Sequence, residues 1–153
     1  MFTSQKVKAI AAGVTRQWSR LLPDSTGEMG WVIGDHGFEM SLSARVPGII
    51  RREIAAVVAA ALGDAGLASG DIRSWAVHPG GPRVLASVRD ALGLDDAALS
   101  ASRDVLAAHG NMSSATILFI LERLLPDAAG PCVALAFGPG LTAEVALFRR
   151  AVS

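Results

Sequence analysis

The spacing of hydrophobic residues between positions 31 and 42 is the clearest local pattern in the chain. A short apolar stretch ends at Gly34-Asp35-His36-Gly37, and Phe38, Met40 and Leu42 then alternate with polar neighbours. Alternation with a period of two beside a glycine-bounded turn is typical of an antiparallel hairpin. The sequence therefore predicts two paired strands here.

Helical spacing begins after Pro47, a residue that is well tolerated in the first turn of a helix. A helix ending near Gly63 is predicted by an apolar face made of Ile49, Ile50, Ile54, Val57, Val58, Ala61 and Leu62. Two more helices are expected over residues 82–92 and 97–109. Gly110 would end the second in a left-handed conformation.

Residues 113–121 are apolar all the way round a helix, which leaves no face for water. We expect such a helix to be buried on every side. Strands are predicted over residues 7–22, 74–77, 132–137 and 143–148, the last two joined as a hairpin through Gly138-Pro139-Gly140.

Size and composition exclude several classes of protein. The chain has 153 residues, of which 51% are hydrophobic, so it can bury one good core but not two. Lysine plus arginine equal aspartate plus glutamate at 14 each, which argues against an electrostatic nucleic-acid partner. The longest apolar run, residues 54–62, is too short to cross a membrane, and no secretion signal is evident. We expect a cytoplasmic protein.

The spacing of Cys132, His36, His78 and His109 does not fit a zinc site. With a single cysteine, an internal disulfide is also excluded. Cys132 begins an apolar strand, so inert packing is its expected role.

His78, before Pro79-Gly80-Gly81, and Asn111, inside residues 110–114, carry the candidate chemistry. Each lies on a glycine-flanked loop, and together they can direct two N–H donors at one carbonyl oxygen that gains negative charge. This arrangement indicates acyl transfer. Taken singly, each has a simpler interpretation: the histidine as a turn residue and the asparagine as a helix N-cap.

Several strings around this pair resemble type III polyketide synthases, the chalcone and stilbene synthase family, in order and approximate spacing. They are Leu22-Pro23-Asp24-Ser25, Trp75-Ala76-Val77-His78-Pro79-Gly80-Gly81-Pro82, Ser102-Arg103-Asp104-Val105-Leu106, Gly110-Asn111-Met112-Ser113-Ser114-Ala115 and Phe137-Gly138-Pro139-Gly140. Met29-Gly30-Trp31 and Gly37-Phe38 are similar to the bacterial members. The expected domains are a poorly matched segment, residues 1–20, and a chalcone/stilbene synthase C-terminal-like domain, residues 21–150.

The resemblance implies an α/β fold, the C-terminal half of a thiolase-like fold, in which a mixed sheet is packed by helices and the fully apolar helix is central. It also implies an acyltransferase that condenses an acyl-CoA starter with malonyl-CoA by decarboxylative Claisen chemistry. CoA thioesters would be its substrates, no cofactor would be bound, and the complete enzyme would be a homodimer. His78 and Asn111 would then stabilise the thioester enolate.

Further positions follow from the same resemblance. Phe137, Gly138 and Pro139 would shape the substrate cavity, and Ser113 would lie on its wall. Met40 falls at a gatekeeping position, although its alternation with Phe38 and Leu42 favours simple core packing. Arg83 is a weak candidate for a CoA phosphate.

The family's nucleophilic cysteine belongs to an N-terminal half that this sequence does not contain. Cys132 has no matching flanking motif and cannot replace it. The chain alone is therefore expected to be inactive unless a cysteine-bearing N-terminal half completes it. Two alternatives remain open: a truncated non-catalytic interaction module or gene fragment, and a ketoacyl synthase III-like protein. The latter family usually has Gln-Ala-Asn after its histidine, where Pro79-Gly80-Gly81 stands here.

Overall fold

A computed structural model of the chain describes residues 12–127 and 130–150. In this part of the chain, four strands form one sheet in the order β1-β6-β5-β4, and two more form a separate hairpin. The sheet strands are Ala12–Leu21 (β1), Ser74–Val77 (β4), Cys132–Gly138 (β5) and Thr142–Arg150 (β6), and the hairpin strands are Met29–Gly34 (β2) and Gly37–Leu42 (β3).

The four-stranded sheet is mixed. Strand β4 runs parallel to β5, whereas β6 pairs antiparallel with both β5 and β1. Helices pack on this sheet, so the predicted α/β class, a mixed sheet packed by helices, is confirmed. The hairpins predicted around residues 34–37 and 138–140 are also confirmed.

Strand β1 forms an edge of the sheet. It covers the later part of the strand predicted for residues 7–22, and residues 7–11 lie outside the described residues. It pairs with β6 from Ala12 to Leu21.

Four α-helices are described, and their positions agree with the sequence pattern: Val46–Asp64 (α1), Pro82–Leu92 (α2), Ser100–His109 (α3) and Ala115–Leu124 (α4). A short 3₁₀ turn, Ala97–Leu99, replaces the expected first turn of α3. Gly110 ends α3 with a φ of 70°, and its N–H donates to the Leu106 carbonyl at 2.9 Å. Its ψ of −166° lies outside the left-handed helical region. Gly110 therefore ends the helix as expected, but not in the expected left-handed helical conformation. None of the described helices is long and apolar enough to cross a membrane.

The pleat of the sheet separates two apolar cores, because successive side chains of a strand point to opposite faces. On one face, Val133 and Leu135 of β5 pack with α1 and α2. On the other face, Cys132 and Ala134 pack with α3 and α4. The result is a three-layer arrangement with helices on both sides of the sheet.

Helix α4 differs from its expected burial on every side. Thr116, Ile120 and Leu121 are buried, but Leu118 is 65% exposed and Phe119 is 40% exposed. The apolar sequence of α4 therefore has one side in the core and one side uncovered within this chain.

Parallel strands bring their carboxyl ends to the same edge of a sheet, and ligands of open α/β sheets bind beyond that edge. His78 follows the last residue of β4, and Phe137 and Gly138 are the last residues of β5. The topology therefore places the two loops of interest side by side.

Candidate active site

A cavity of about 610 Å³ opens beyond the carboxyl ends of β4 and β5. Seven residues singled out from the sequence line it together: Met40, His78, Asn111, Ser113, Phe137, Gly138 and Pro139. They come from four separate stretches of the chain, so only the tertiary fold brings them to one place.

His78 occupies the first position after β4. Its backbone N–H donates to the Leu135 carbonyl at 2.8 Å, which extends the parallel pairing by one residue, and its own carbonyl accepts from Gly80 N–H at 3.1 Å. The imidazole is partly buried, and this burial lowers its pKa below the ordinary value of 6.5. At neutral pH the ring is therefore uncharged and carries one N–H donor.

A buried serine supports the strand end that carries His78. The backbone N–H of Val77 donates to Ser102 Oγ at 3.1 Å, and Ser102 is fully buried. In the described sheet β4 is an edge strand and this N–H points away from β5, so Ser102 satisfies it.

Asn111 lies in the loop between α3 and α4, and its side chain is exposed to the cavity. Its Oδ1 accepts a hydrogen bond from Ser113 N–H at 2.8 Å. Within the described part of the chain, no protein group accepts from the Asn111 Nδ2 protons, so this donor is available to a ligand. The N-cap of α4 is Ser114, and the simpler N-cap interpretation of Asn111 is therefore wrong.

The turn between β5 and β6 forms another wall of the cavity. An added Cβ at Gly138 would lie 2.9 Å from Thr142 Oγ1, so any side chain there would require the threonine to shift. The Gly140 N–H donates to the Met29 carbonyl at 2.7 Å, and its carbonyl is reached by the buried Ser25 hydroxyl at 3.0 Å. The strand that begins the β2–β3 hairpin and the segment before it thus hold this turn in place.

Met40 is 49% exposed and faces the cavity, so the sequence-based preference for core packing is wrong. The hairpin forms a cavity wall, with Met29 partly buried against the core. In its register Trp31 is paired with Met40 and Met29 with Leu42, and all four residues line the cavity.

Sequence reasoning missed most of the apolar lining: Met29, Trp31, Leu42, Val46, Ile50, Val84 and Leu141. The sequence did contain one clue to the hairpin residues among them. Directly opposed residues of an antiparallel pair lie on the same face, so placing Met40 on the cavity also places Trp31 there.

Two other residues lie apart from this site. Arg83 is exposed in the first turn of α2 and is not among the described residues that line the cavity. Cys132 is fully buried at the amino end of β5, whereas the cavity lies at the carboxyl end, and burial raises the pKa of its thiol to about 11. A thiol with this pKa is protonated at neutral pH and a poor nucleophile.

No group of three or more metal-ligating side chains is found among the residues that the structure describes. The cavity instead offers an apolar wall and two neutral N–H donors, the His78 imidazole and the Asn111 amide. Neutral donors in a partly dry site suit a reaction in which negative charge develops on a carbonyl oxygen.

The chain is similar to chalcone and stilbene synthases and to bacterial polyketide synthases. The model of chalcone and stilbene synthases, C-terminal domain, matches residues 14–152. The chain is 44% identical over 133 residues to the 1,3,6,8-tetrahydroxynaphthalene synthase of Streptomyces peucetius subsp. caesius, covering 84% of the chain and 35% of that enzyme. It is 37% identical over 140 residues to an alpha-pyrone synthesis polyketide synthase-like Pks18 of Mycobacterium tuberculosis, covering 88% of the chain and 36% of that protein.

A solved structure supports the same relationship. The crystal structure of PKS-I from the brown alga Ectocarpus siliculosus superposes with a TM-score of 0.86 at 26% identity, covering 95% of this chain and 41% of that one. This confirms the predicted fold class, the C-terminal half of a thiolase-like fold. The chain spans about a third of the length of the curated relatives it matches. Because the family model covers nearly all of its residues, the chain belongs to the chalcone and stilbene synthases and corresponds to their C-terminal domain.

Proposed function

We propose that this chain is the C-terminal part of a type III polyketide synthase, an acyltransferase that condenses an acyl-CoA starter with malonyl-CoA. The observation that carries the proposal is the placement of His78 and Asn111 on one apolar-walled cavity at the carboxyl ends of two parallel strands. The conclusion concerns the complete enzyme, of which this chain supplies one part.

The two donors act on the malonyl thioester. When the bond between its α-carbon and carboxylate breaks, CO₂ leaves and the electron pair moves into an enolate whose oxygen becomes negative. The His78 N–H and the Asn111 Nδ2–H donate to this oxygen. The enolate carbon then attacks the acyl thioester on a cysteine, a C–C bond forms, and the cysteine thiolate leaves.

The nucleophilic cysteine comes from outside the described residues. Cys132 does not line the cavity, and its protonated, buried thiol cannot accept an acyl group. The relatives extend well beyond the region that this chain matches, so an N-terminal half carrying the cysteine has a place in the same architecture. The chain by itself is inactive in this proposal.

The remaining cavity residues contact the acyl chains. Met40 and Phe137 offer apolar surface, Gly138 and Pro139 give the wall its shape, and Ser113 lies beside Asn111. Arg83, in the first turn of α2, is a weaker candidate for a CoA phosphate because it lies outside the cavity lining. No bound cofactor is required besides the CoA thioesters, and we assign the complete enzyme to the cytoplasm as a homodimer.

The test supplies the missing part from a relative. The N-terminal region of the Streptomyces peucetius synthase is fused to residues 1–153 or mixed with them, and CO₂ release from malonyl-CoA is measured. We expect turnover only when both parts are present. His78→Ala and Asn111→Ala should each lower the rate by about 10²–10³, the usual cost of losing one donor to a developing oxyanion.

His36→Ala is the matched control, because His36 is exposed in the turn of the β2–β3 hairpin and lies outside the cavity lining. Its rate should match that of the unaltered chain. No turnover in either the fusion or the mixture would defeat the enzymatic proposal and favour a non-catalytic interaction module or gene fragment. Because the chain matches the chalcone and stilbene synthase family, we do not retain the ketoacyl synthase III-like alternative.

A further inference from the structure

The loop that carries Asn111 is held by three linked hydrogen bonds. Asn111 Oδ1 accepts from Ser113 N–H at 2.8 Å, the Ser113 carbonyl accepts from Thr116 N–H at 3.1 Å, and Thr116 Oγ1 accepts from Met112 N–H at 2.8 Å. The last two bonds both end on Thr116. This residue therefore holds the loop on either side of Ser113.

We propose that Thr116 is the positioning residue for Asn111: its buried hydroxyl fixes the loop so that the Asn111 amide presents Nδ2–H to the cavity. This inference rests on the proposed function for the role of that amide. Thr116 does not line the cavity, so it acts through Asn111 and does not touch substrate.

The conformation of Ser113 shows why the loop needs holding. Its φ is +57°, a left-handed value that a residue with a side chain adopts at a cost and keeps only when its surroundings require it. Thr116 is fully buried, its Oγ1 accepts from Met112 N–H, and its N–H donates to the Ser113 carbonyl. Without these bonds, Ser113 would be free to return to a more favourable φ.

The orientation of Asn111 follows from the same geometry. The Ser113 N–H lies in the peptide plane between Met112 and Ser113, and the two Thr116 bonds, to Met112 N–H and to the Ser113 carbonyl, fix the peptide planes on either side of it. Because Asn111 Oδ1 accepts from Ser113 N–H, the amide cannot rotate without losing this bond. The Nδ2 protons are then left for a ligand.

The burial of the Thr116 hydroxyl makes it hard to replace. Met112 N–H precedes α4 and has no helical acceptor, since the helix begins at Ala115. If the hydroxyl were removed, a partly buried donor would lose its partner, and water has little access to replace it.

Asn111 is the only asparagine in the chain, which gives a direct spectroscopic test. Selective ¹⁵N-asparagine labelling yields one side-chain NH₂ signal, measured on the chain as it exists without any N-terminal part. Thr116→Val removes the hydroxyl while keeping the shape, and Thr116→Ser keeps the hydroxyl while removing the methyl group. Thr15→Val is the matched control, because it also loses one Oγ1 hydrogen bond, to the Leu147 carbonyl, at the distant edge strand.

We expect the Asn111 NH₂ signal of Thr116→Val to move toward its position in the urea-unfolded chain. The Met112 amide should also exchange with solvent about tenfold faster, the factor typical of one lost hydrogen bond. Thr116→Ser and Thr15→Val should keep both readouts at their unaltered values. A general loss of stability would not shift the Asn111 signal selectively, and Thr116→Ser would not restore it.

Two results would overturn the inference: an unchanged Asn111 signal in Thr116→Val, or a Thr116→Ser variant that behaves like Thr116→Val. If Thr116→Val does not fold, the test is made on the unaltered chain. The Met112 backbone amide should then exchange at least about tenfold more slowly than a free peptide amide, and faster exchange would overturn the inference. None of these readouts requires turnover. Failure of the enzymatic proposal and failure of this one are therefore distinguishable.

Discussion

The His78 imidazole combines a fixed backbone with a partly buried ring. Burial makes the charged form costly, and this lowers the pKa of His78 from its ordinary value of 6.5. The unfolded chain therefore binds this proton more readily than the folded chain does. Between the folded pKa and 6.5 the free energy of unfolding rises with pH, so acidification through this window removes stability.

Proton NMR can test this lowered pKa in the isolated chain. The His78 ring signal should titrate with a midpoint below pH 6.5, and the ring should be neutral at pH 7. Since the chain contains three histidines, His36→Gln and His109→Gln variants identify the remaining signal. A His78 midpoint above 6.5 would show that desolvation does not govern this ring.

At the scale of elements, the segment between β1 and β2 fixes the turn between β5 and β6. The Ser25 hydroxyl lies 2.7 Å from the buried Leu22 carbonyl and 3.0 Å from the partly buried Gly140 carbonyl, so its single proton is shared between two acceptors. Leu22 N–H also donates to the Leu141 carbonyl at 3.2 Å. Leu141 is fully buried at a φ of +54° and lines the cavity, which links this attachment to the shape of the site.

Ser25→Ala should lower the free energy of unfolding by about 1–3 kcal/mol, because it leaves the buried Leu22 carbonyl and the partly buried Gly140 carbonyl without this donor. Urea denaturation measures this loss. Ser19→Ala is the matched control: its hydroxyl donates to Glu144 at 2.6 Å on the exposed edge strand, so its cost should stay within about 0.5 kcal/mol. Equal losses in both variants would mean that Ser25 is no more important than a surface hydroxyl.

At the scale of the whole molecule, besides Val14 and Leu21 on β1, apolar surface is left uncovered in two regions of the part of the chain that the structure describes. One is the outer side of α4, where Leu118 and Phe119 are exposed and the His109 ring lies 5.3 Å from that of Phe119. The other is the β2–β3 hairpin, where Val32 is 60% and Ile33 is 80% exposed. In the proposed complete enzyme, the N-terminal half covers α4.

The isolated chain should therefore self-associate, since large apolar patches favour burial against a second surface. Light scattering should show species larger than a monomer. Leu118→Glu should weaken this association by about tenfold or more, the effect of losing one buried leucine contact. Val14→Glu, at a residue 53% exposed on the distant edge strand β1, should leave it unchanged. A stable monomer with little dye-accessible apolar surface would contradict the assignment of α4 to a central layer.

Local order was readable from the sequence because it depends on near neighbours. The period of the apolar residues gave α1 and the β2–β3 hairpin, the expected helix over residues 82–92 agrees with α2, and the loops carrying His78 and Asn111 followed from their glycines. The family resemblance added the expected roles of these two residues, which remain part of the proposal.

Tertiary structure decided what depends on distant contacts. Periodicity assigned Met40 to the core because a sequence cannot show which face of a hairpin another element will cover, and α4 was expected to be buried because apolar composition does not show which sides are packed. The hydrogen bonds that Ser25, Ser102 and Thr116 make to the cavity loops were equally invisible. Short polar residues are common in turns and helices, and only the folded backbone determines which buried donor or acceptor each one meets.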